Sequence, residues 1–355
     1  MAGRPSWAEE AGADRGVRAM KEAVRIAVIG VGHLGKHHAR ILAGLPEAKL
    51  VGVVDVDAET ARKVGEQWGV PFGTDPLNLP EEWKVEAVSV VTPTRFHHEV
   101  AMRHLDVGHD VLVEKPLTPT VAEGEEICAR ADELGRILQV GHVERFNPVV
   151  KATRELGIQP RYIESDRLAP FTFRSMDIGV VLDLMIHDID LTLLLAGSPV
   201  QDVEAFGGSL FTPSEDMASA RLRFENGAVA RLTANRVAMK PGRRMRMFST
   251  ESYVSLDFGK RYGLIVRKKP GWDVQKLDLE KLALDEVTDL WKFVFEGLLE
   301  VQEMQLDEDD PLSAELRSFL ACVRDRSAPE VDGRAGLEAV RIADRVLRSI
   351  ADNPW

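Results

Sequence analysis

Asp183 and His187 stand four residues apart in the run Val181-Leu182-Asp183-Leu184-Met185-Ile186-His187-Asp188-Ile189-Asp190. On a helix that spacing puts both side chains on one face, with Asp190 continuing it, while Leu182, Met185, Ile186, Ile189 and Leu193 cover the other side. A carboxylate beside an imidazole favours the protonated ring and fixes its orientation, which suits His187 to accept a proton with Asp183 in support. Lys115 follows a strand-like run at its C-terminal end, where open α/β sheets gather their ligands. An ammonium placed there can hydrogen-bond a reacting hydroxyl and stabilise the negative charge that grows on it. The three residues together have what oxidation of a secondary alcohol requires: a base for the hydroxyl proton and a positive neighbour for the alkoxide. Either Lys115 or His187 could take that proton. Taken singly, a histidine on an apolar helix is more often a satisfied core residue, and a lysine after a strand more often a surface cation; the combination favours catalysis. A zinc site is a third reading, and no further ligand cluster supports it.

Such chemistry needs an acceptor for two electrons. Gly30-Val31-Gly32-His33-Leu34-Gly35 fits G-x-G-x-x-G and lies between the first strand-like run and the first helical stretch, where a dinucleotide site requires it. Gly30 allows the tight turn, Gly32 lets a pyrophosphate approach the backbone, and Gly35 packs helix on sheet, with His33 and Leu34 in the same cofactor loop. The helix N-terminus then turns free N–H groups and its positive dipole end to the phosphates. Asp55 ends the second strand-like run, about twenty-five residues after Gly30. A carboxylate there accepts hydrogen bonds from ribose hydroxyls and repels a 2′-phosphate, so NAD is favoured over NADP.

The elements that must hold these residues alternate. Strand-like runs at 25–30, 49–55, 86–91, 110–113 and 136–140 are separated by helical stretches at 33–43, 58–68, 96–107 and 119–134. This rhythm predicts a doubly wound parallel sheet covered on both faces. After about residue 145 it changes. A helix over 180–196 precedes strand-like stretches at 203–207, 218–224, 228–237, 245–249 and 253–258, with a hairpin turn at Glu225-Asn226-Gly227. Helices over 311–326 and 333–351 close the chain. The expected fold class is therefore α/β, with an N-terminal Rossmann domain and a C-terminal α/β domain on an open, mainly antiparallel sheet. The expected divisions are 1–22, a flexible extension in which Met20 is an alternative start; 23–142, the NAD-binding domain; and 143–355, for substrate binding and oligomerisation.

The chain has 355 residues and a formal net charge of −12, so a broad acidic surface disfavours nucleic acid and anionic membranes as partners. The two cysteines, Cys128 and Cys322, show no metal-type spacing and suit a reducing, cytoplasmic setting. The most apolar stretch, 178–196, is broken by Asp183, His187, Asp188 and Asp190 and makes a poor membrane span.

Thr92-Pro93-Thr94 with His97, Glu114-Lys115-Pro116, Asp183 and His187, taken with the glycine motif, resemble the glucose–fructose oxidoreductase and inositol dehydrogenase (MocA-type) family from about Val24 to the C-terminus. The resemblance implies cofactor contacts from Thr92, Pro93, His97, Glu114 and Lys115, and homodimers or homotetramers formed through the outer face of the second sheet. Within the family, Gly141-His142-Val143-Glu144-Arg145-Phe146-Asn147-Pro148 and the Asp183 to Asp190 stretch are similar to UDP-N-acetylglucosamine 3-dehydrogenases. Those oxidise the sugar 3-hydroxyl so that an aminotransferase can install an amine, towards amide-linked lipid A. On that reading His142, Arg145 and Asn147 belong to the substrate pocket, and a diphosphate finds partners among Arg167, Arg174, Asn235, Arg236, Lys240 and Arg243. His33, His37 and His38 lie in or beside the first helix, where packing or exposure is the default. Two other functions stay open: a dehydrogenase of free sugars or inositols, which would not need the arginines, and a dinucleotide-sensing regulator, which would not need the proton-transfer set.

Overall fold

The computed structural model describes residues 22–172, 178–269, 299–307 and 309–353. The N-terminal extension, with Met20, and Arg174 lie outside the described residues.

The first half winds as expected: β1 (Val24–Ile29), α1 (Gly35–Gly44), β2 (Ala48–Val54), α2 (Ala58–Trp68), a short β3 (Phe72–Gly73), β4 (Ala87–Val90), α3 (His97–Asp106), β5 (Asp110–Glu114), α4 (Val121–Leu134) and β6 (Leu138–Gly141). The strands are parallel in the order β3-β2-β1-β4-β5-β6. β4, β5 and β6 are buried along their whole length, which is why they read as short runs without alternation. The chain moves one way from β1 to β2 and the other way to β4, so the C-terminal ends of β1 and β4 open a crevice at the switch point.

The second half begins with a short 3-10 turn (Val143–Phe146) and α5 (Pro148–Glu155), then β7 (Tyr162–Leu168). A π-helical turn over Val181–Met185 runs directly into α6 (Ile186–Ala196). β8 (Val200–Gly208), β9 (Met217–Phe224), β10 (Val229–Asn235), β11 (Gly242–Phe248), β12 (Ser252–Asp257), β13 (Tyr262–Lys268) and β14 (Leu299–Glu303) complete a sheet of order β14-β13-β12-β11-β7-β10-β9-β8. Every pairing in it is antiparallel except β7 with β10. The expected hairpin joins β9 to β10, with Gly227 at φ +81°.

Two C-terminal helices tie the halves together. α7 (Pro311–Asp325) sets Leu316, Phe319 and Leu320 against Val24, Ile26, Ala39 and Leu42 of the first sheet and α1. α8 (Gly333–Asp352) packs on α4, α6 and β8. The main core runs without a break from Val113 and Val140 through Ile186 and Val340 to Leu222 and Leu232. α7, from the C-terminal part of the chain, completes the core of the first sheet. Among the described residues no helix is long and apolar enough to cross a membrane. Cys128 and Cys322 are free thiols, both buried.

Candidate active site

The glycine turn sits at the mouth of the crevice. Gly30 has φ +82°, and a Cβ there would lie 2.6 Å from the Val91 carbonyl oxygen. A Cβ on Gly35 would overlap the Gly30 carbonyl oxygen, so this glycine seats α1 on β1. Gly32 differs: a Cβ there would meet nothing within 4 Å, so packing within the protein does not require a glycine. The open space beside its backbone fits a ligand that approaches the main chain closely, as a pyrophosphate does. Asp55 is fixed by two backbone donors, Val31 N–H to Oδ2 at 2.9 Å and Asp57 N–H to Oδ1 at 3.0 Å. Gly30, Gly32, His33, Leu34, Asp55, Thr92, Pro93, Glu114, Lys115 and Asp183 all line one cleft of about 670 Å³, closed on its apolar side by Val56, Leu77 and Phe96. The residues present therefore fit a dinucleotide.

His97 stands behind this lining. Its buried ring places Nδ1 2.8 Å from the Pro116 carbonyl oxygen and Nε2 2.9 Å from that of Thr92. It ties together the two loops that frame the cleft, behind the residues that line it.

At the far end of the cleft, Lys115 Nζ donates to the Asp183 carbonyl oxygen at 2.7 Å and to its Oδ1 at 3.2 Å. The expected pairing of Asp183 with His187 is replaced by this one. The physical reason is local: Val181–Met185 is π-helical and only Ile186 onward is α-helical, so the regular four-residue neighbour rule does not govern the pair. Glu215 starts that turn, taking the Val181 N–H on Oε1 at 3.0 Å and the Val180 N–H on its carbonyl oxygen at 3.0 Å. The adjacent Asp216 holds its own loop through the N–H groups of Leu210, Phe211 and Thr212.

His187 lies beyond Asp183, its Nδ1 buried without a hydrogen-bond partner, and its ring meets that of His142 edge-on with centroids 6.3 Å apart. Burial, and then the positive charges of Lys115, Arg167 and Arg243, hold its pKa well below 6.5. The ring is thus neutral near neutral pH, the reverse of the protonated state that a carboxylate neighbour would favour, and free to accept a proton.

Beneath His187 the second sheet carries buried ion pairs. Arg167 of β7 donates through Nε to Asp188 Oδ2 at 2.8 Å and through Nη1 to Glu144 Oε1 at 3.0 Å. Arg145 holds Asp190 through two hydrogen bonds of 2.8 and 2.6 Å. A buried guanidinium needs such partners, so Arg167, expected to meet a diphosphate, and Arg145, expected in the substrate pocket, are both engaged inside the protein. Asn147 caps α5, accepting the Val149 N–H at 3.3 Å, and its amide donates to Glu144. His142 is buried, with both ring nitrogens unpartnered. Arg236 is buried and donates to the Ile178 carbonyl oxygen at 2.6 Å, while Asn235 accepts the Val237 N–H at 3.3 Å. Arg243 alone of the engaged arginines named here keeps 55% of its side chain exposed, with Nη1 3.5 Å from Glu144 Oε1. Lys240 is exposed on the turn before β11. Among the described residues no group of three or more His, Cys, Asp or Glu side chains is placed to hold a metal ion.

Comparison with known proteins fits this geometry. Residues 24–142 match the model of an oxidoreductase family with an NAD-binding Rossmann fold, and residues 131–255 match the GFO/IDH/MocA C-terminal domain. The chain belongs to the GFO/IDH/MocA oxidoreductase family. It is 44% identical over 237 residues to a UDP-N-acetylglucosamine 3-dehydrogenase of Acidithiobacillus ferrooxidans, covering 66% of this chain and 74% of that protein. A solved structure of that name from the same organism matches with a TM-score of 0.80 and 34% identity, covering 93% of this chain and 99% of the other. A scyllo-inositol 2-dehydrogenase (NAD(+)) of Bacillus subtilis is 32% identical over 237 residues, covering 62% of this chain and 69% of that protein.

In this GFO/IDH/MocA oxidoreductase, then, the cofactor is NAD, and Lys115 and Asp183 meet on the wall of the cleft that fits it. Three residues of this region were not found from the sequence: Glu144 and Asp188, which hold Arg167, and Glu215, which holds the π turn. Glu144, Asp188 and Glu215 each act on a partner distant in the chain, and no local pattern marks them. Glu144 was within reach, since it stands in a stretch already singled out for its neighbours.

Proposed function

We propose that the protein oxidises the 3-hydroxyl of UDP-N-acetylglucosamine to a ketone with NAD. The observation that supports this most is the Lys115 ammonium, held by Asp183 where both line a dinucleotide cleft, with its charge helping to keep the half-buried His187 imidazole neutral. Substrate identity rests on the 44% relative.

Gly30, Gly32, Asp55, Thr92 and Glu114 would hold NAD, which when bound supplies the hydride acceptor. Lys115, its ammonium anchored by Asp183, hydrogen-bonds the reacting hydroxyl oxygen and stabilises the alkoxide as it forms. His187 takes the hydroxyl proton on Nε2, Nδ1 being turned into the protein. The secondary alcohol becomes a ketone, and the proton leaves through the imidazole. Arg243 is the cation placed to meet the diphosphate, because it alone of the arginines on Glu144 reaches solvent. The ketone is the substrate of an aminotransferase, in a cytoplasmic route towards amide-linked lipid A.

Oxidation of a free sugar or inositol is the second reading, supported by the inositol relative. Arg243→Ala separates the two. It should raise KM for UDP-N-acetylglucosamine about tenfold or more and leave kcat within a small factor, as loss of a charge-assisted contact does. An unchanged KM, or faster turnover of inositols than of the nucleotide sugar, refutes the nucleotide-sugar assignment. A sensor without turnover is disfavoured by the presence of Lys115, Asp183 and His187 together. We assign subunit contact to the outer face of the second sheet, a reading supported by the aromatic patch in which Phe248 lies 5.9 Å from Tyr162 and 5.0 Å from Tyr253, ring to ring, with Phe206 exposed beyond. Light scattering should give a dimer or tetramer; a monomer would refute that assignment.

A further inference from the structure

Behind Lys115, five elements bring polar side chains together in the dark of the first core: Ser89 of β4, His38 of α1, Glu114 of β5, Gln139 of β6 and Glu315 of α7, none more than 9% exposed. His38 Nδ1 lies 2.9 Å from Ser89 Oγ, and its Nε2 lies 3.1 Å from Glu114 Oε1. The other oxygen of Glu114 accepts the Lys115 N–H at 3.2 Å. Gly141 makes room for this carboxylate, since a Cβ there would lie 3.0 Å from its carboxyl carbon. Glu315 is 0% exposed, and neither of its carboxylate oxygens has a hydrogen-bond partner. Gln139 Nε2 donates to the Glu315 carbonyl oxygen at 3.3 Å, and Gln139 Oε1 has no partner.

A carboxylate without donors in a sealed core is costly when ionised. Burial, and then the charge of Glu114, push the Glu315 carboxyl well above its ordinary range. Burial acts on Glu114 in the same direction, but the hydrogen bond and charge of His38, together with the charge and backbone N–H of Lys115, outweigh it and hold Glu114 below that range. Of two neighbouring acids one keeps the proton and the other the charge. Other charges near α7 face elsewhere. Glu144 and Arg145, on the turn that packs against it, engage Arg167 and Asp190, and Arg317 on α7 itself is exposed.

We propose that Glu315 is a positioning residue for Lys115. In its neutral form it closes the core over Glu114, so that Glu114 stays on His38 and holds the main chain of Lys115; ionised, it displaces Glu114 and the turn that carries the lysine. This rests on the reading of Lys115 as a catalytic residue that lines the cofactor cleft.

The test compares the wild-type protein, Glu315→Gln and Glu315→Ala for NADH affinity by fluorescence and for kcat and KM, each across neutral to alkaline pH, with melting temperature alongside. Glutamine copies the neutral acid. It should keep kcat within about twofold of wild type near neutral pH and lack the alkaline fall in NADH affinity and kcat that is expected of the wild type. Alanine should lower kcat about tenfold or more, with a smaller change in KM, as loosening of a catalytic group does. If both variants change only the melting temperature and keep wild-type kcat and pH profiles, the role is structural and the proposal falls. NADH binding needs no sugar, so its pH profile decides the matter even if UDP-N-acetylglucosamine proves not to be the substrate.

Discussion

The Lys115 ammonium is pinned by Asp183 at the end of the cleft, with 14% of the side chain exposed. Lys115→Ala should lower kcat by about 10² to 10⁴. NADH should still bind, because the glycine turn and Asp55 are untouched; near-normal turnover in a rapid-mixing assay would remove Lys115 from the chemistry. The pH dependence follows from His187. Its pKa is held well below the ordinary 6.5, so the imidazole stays neutral and competent through that value. The acid limb of kcat/KM should therefore lie below 6.5; a limb above it would mean that His187 is protonated in the resting enzyme. Lys115, Asp183, His187 and the glycines were legible because each belongs to a local pattern of type and spacing. The pairing of Asp183 was not, because it depends on a π turn that the spacing does not announce. Glu315 was not, because an acid on an amphipathic helix gives no sign that it faces the core.

Among the elements, β7 shows why a polar strand escapes a reading based on hydrophobicity. Its buried positions are Ile163, Ser165 and Arg167, so the inward face carries one apolar residue in three. Yet it is the centre of the second sheet, between β10 and β11, and Arg167 joins it to α6 through Asp188 and to the 3-10 turn through Glu144. α2, by contrast, was predicted with its observed ends, since Asp57 caps its start and Gly69 closes it at φ 64°. Arg167→Met should cost about 3–5 kcal/mol, because Asp188 and Glu144 would be left buried without their cation. Denaturant melts read this directly, and a loss below about 1 kcal/mol would mean that the network is not what holds the sheet to α6. Activity should fall as well, since Asp188 is the residue after His187.

At the scale of the molecule, the two halves foreseen from the alternation of elements are present, and the crevice at the switch between β1 and β4 collects the glycine loop, Glu114 and Lys115, and Asp183 of the π turn before α6. The return of α7 to the first sheet was not foreseen, because contacts across some three hundred residues leave no local trace. This assembly is expected to take a proton from a sugar hydroxyl and pass a hydride to NAD from the carbon that bears it. The most direct measurement is NADH formation from NAD and UDP-N-acetylglucosamine, with an aminotransferase and glutamate to trap the ketone and NMR to locate the oxidised carbon. NADH appearing with a ketone or amine at C3 is the predicted result. No turnover from protein shown to bind NAD, or oxidation at another carbon, would contradict it.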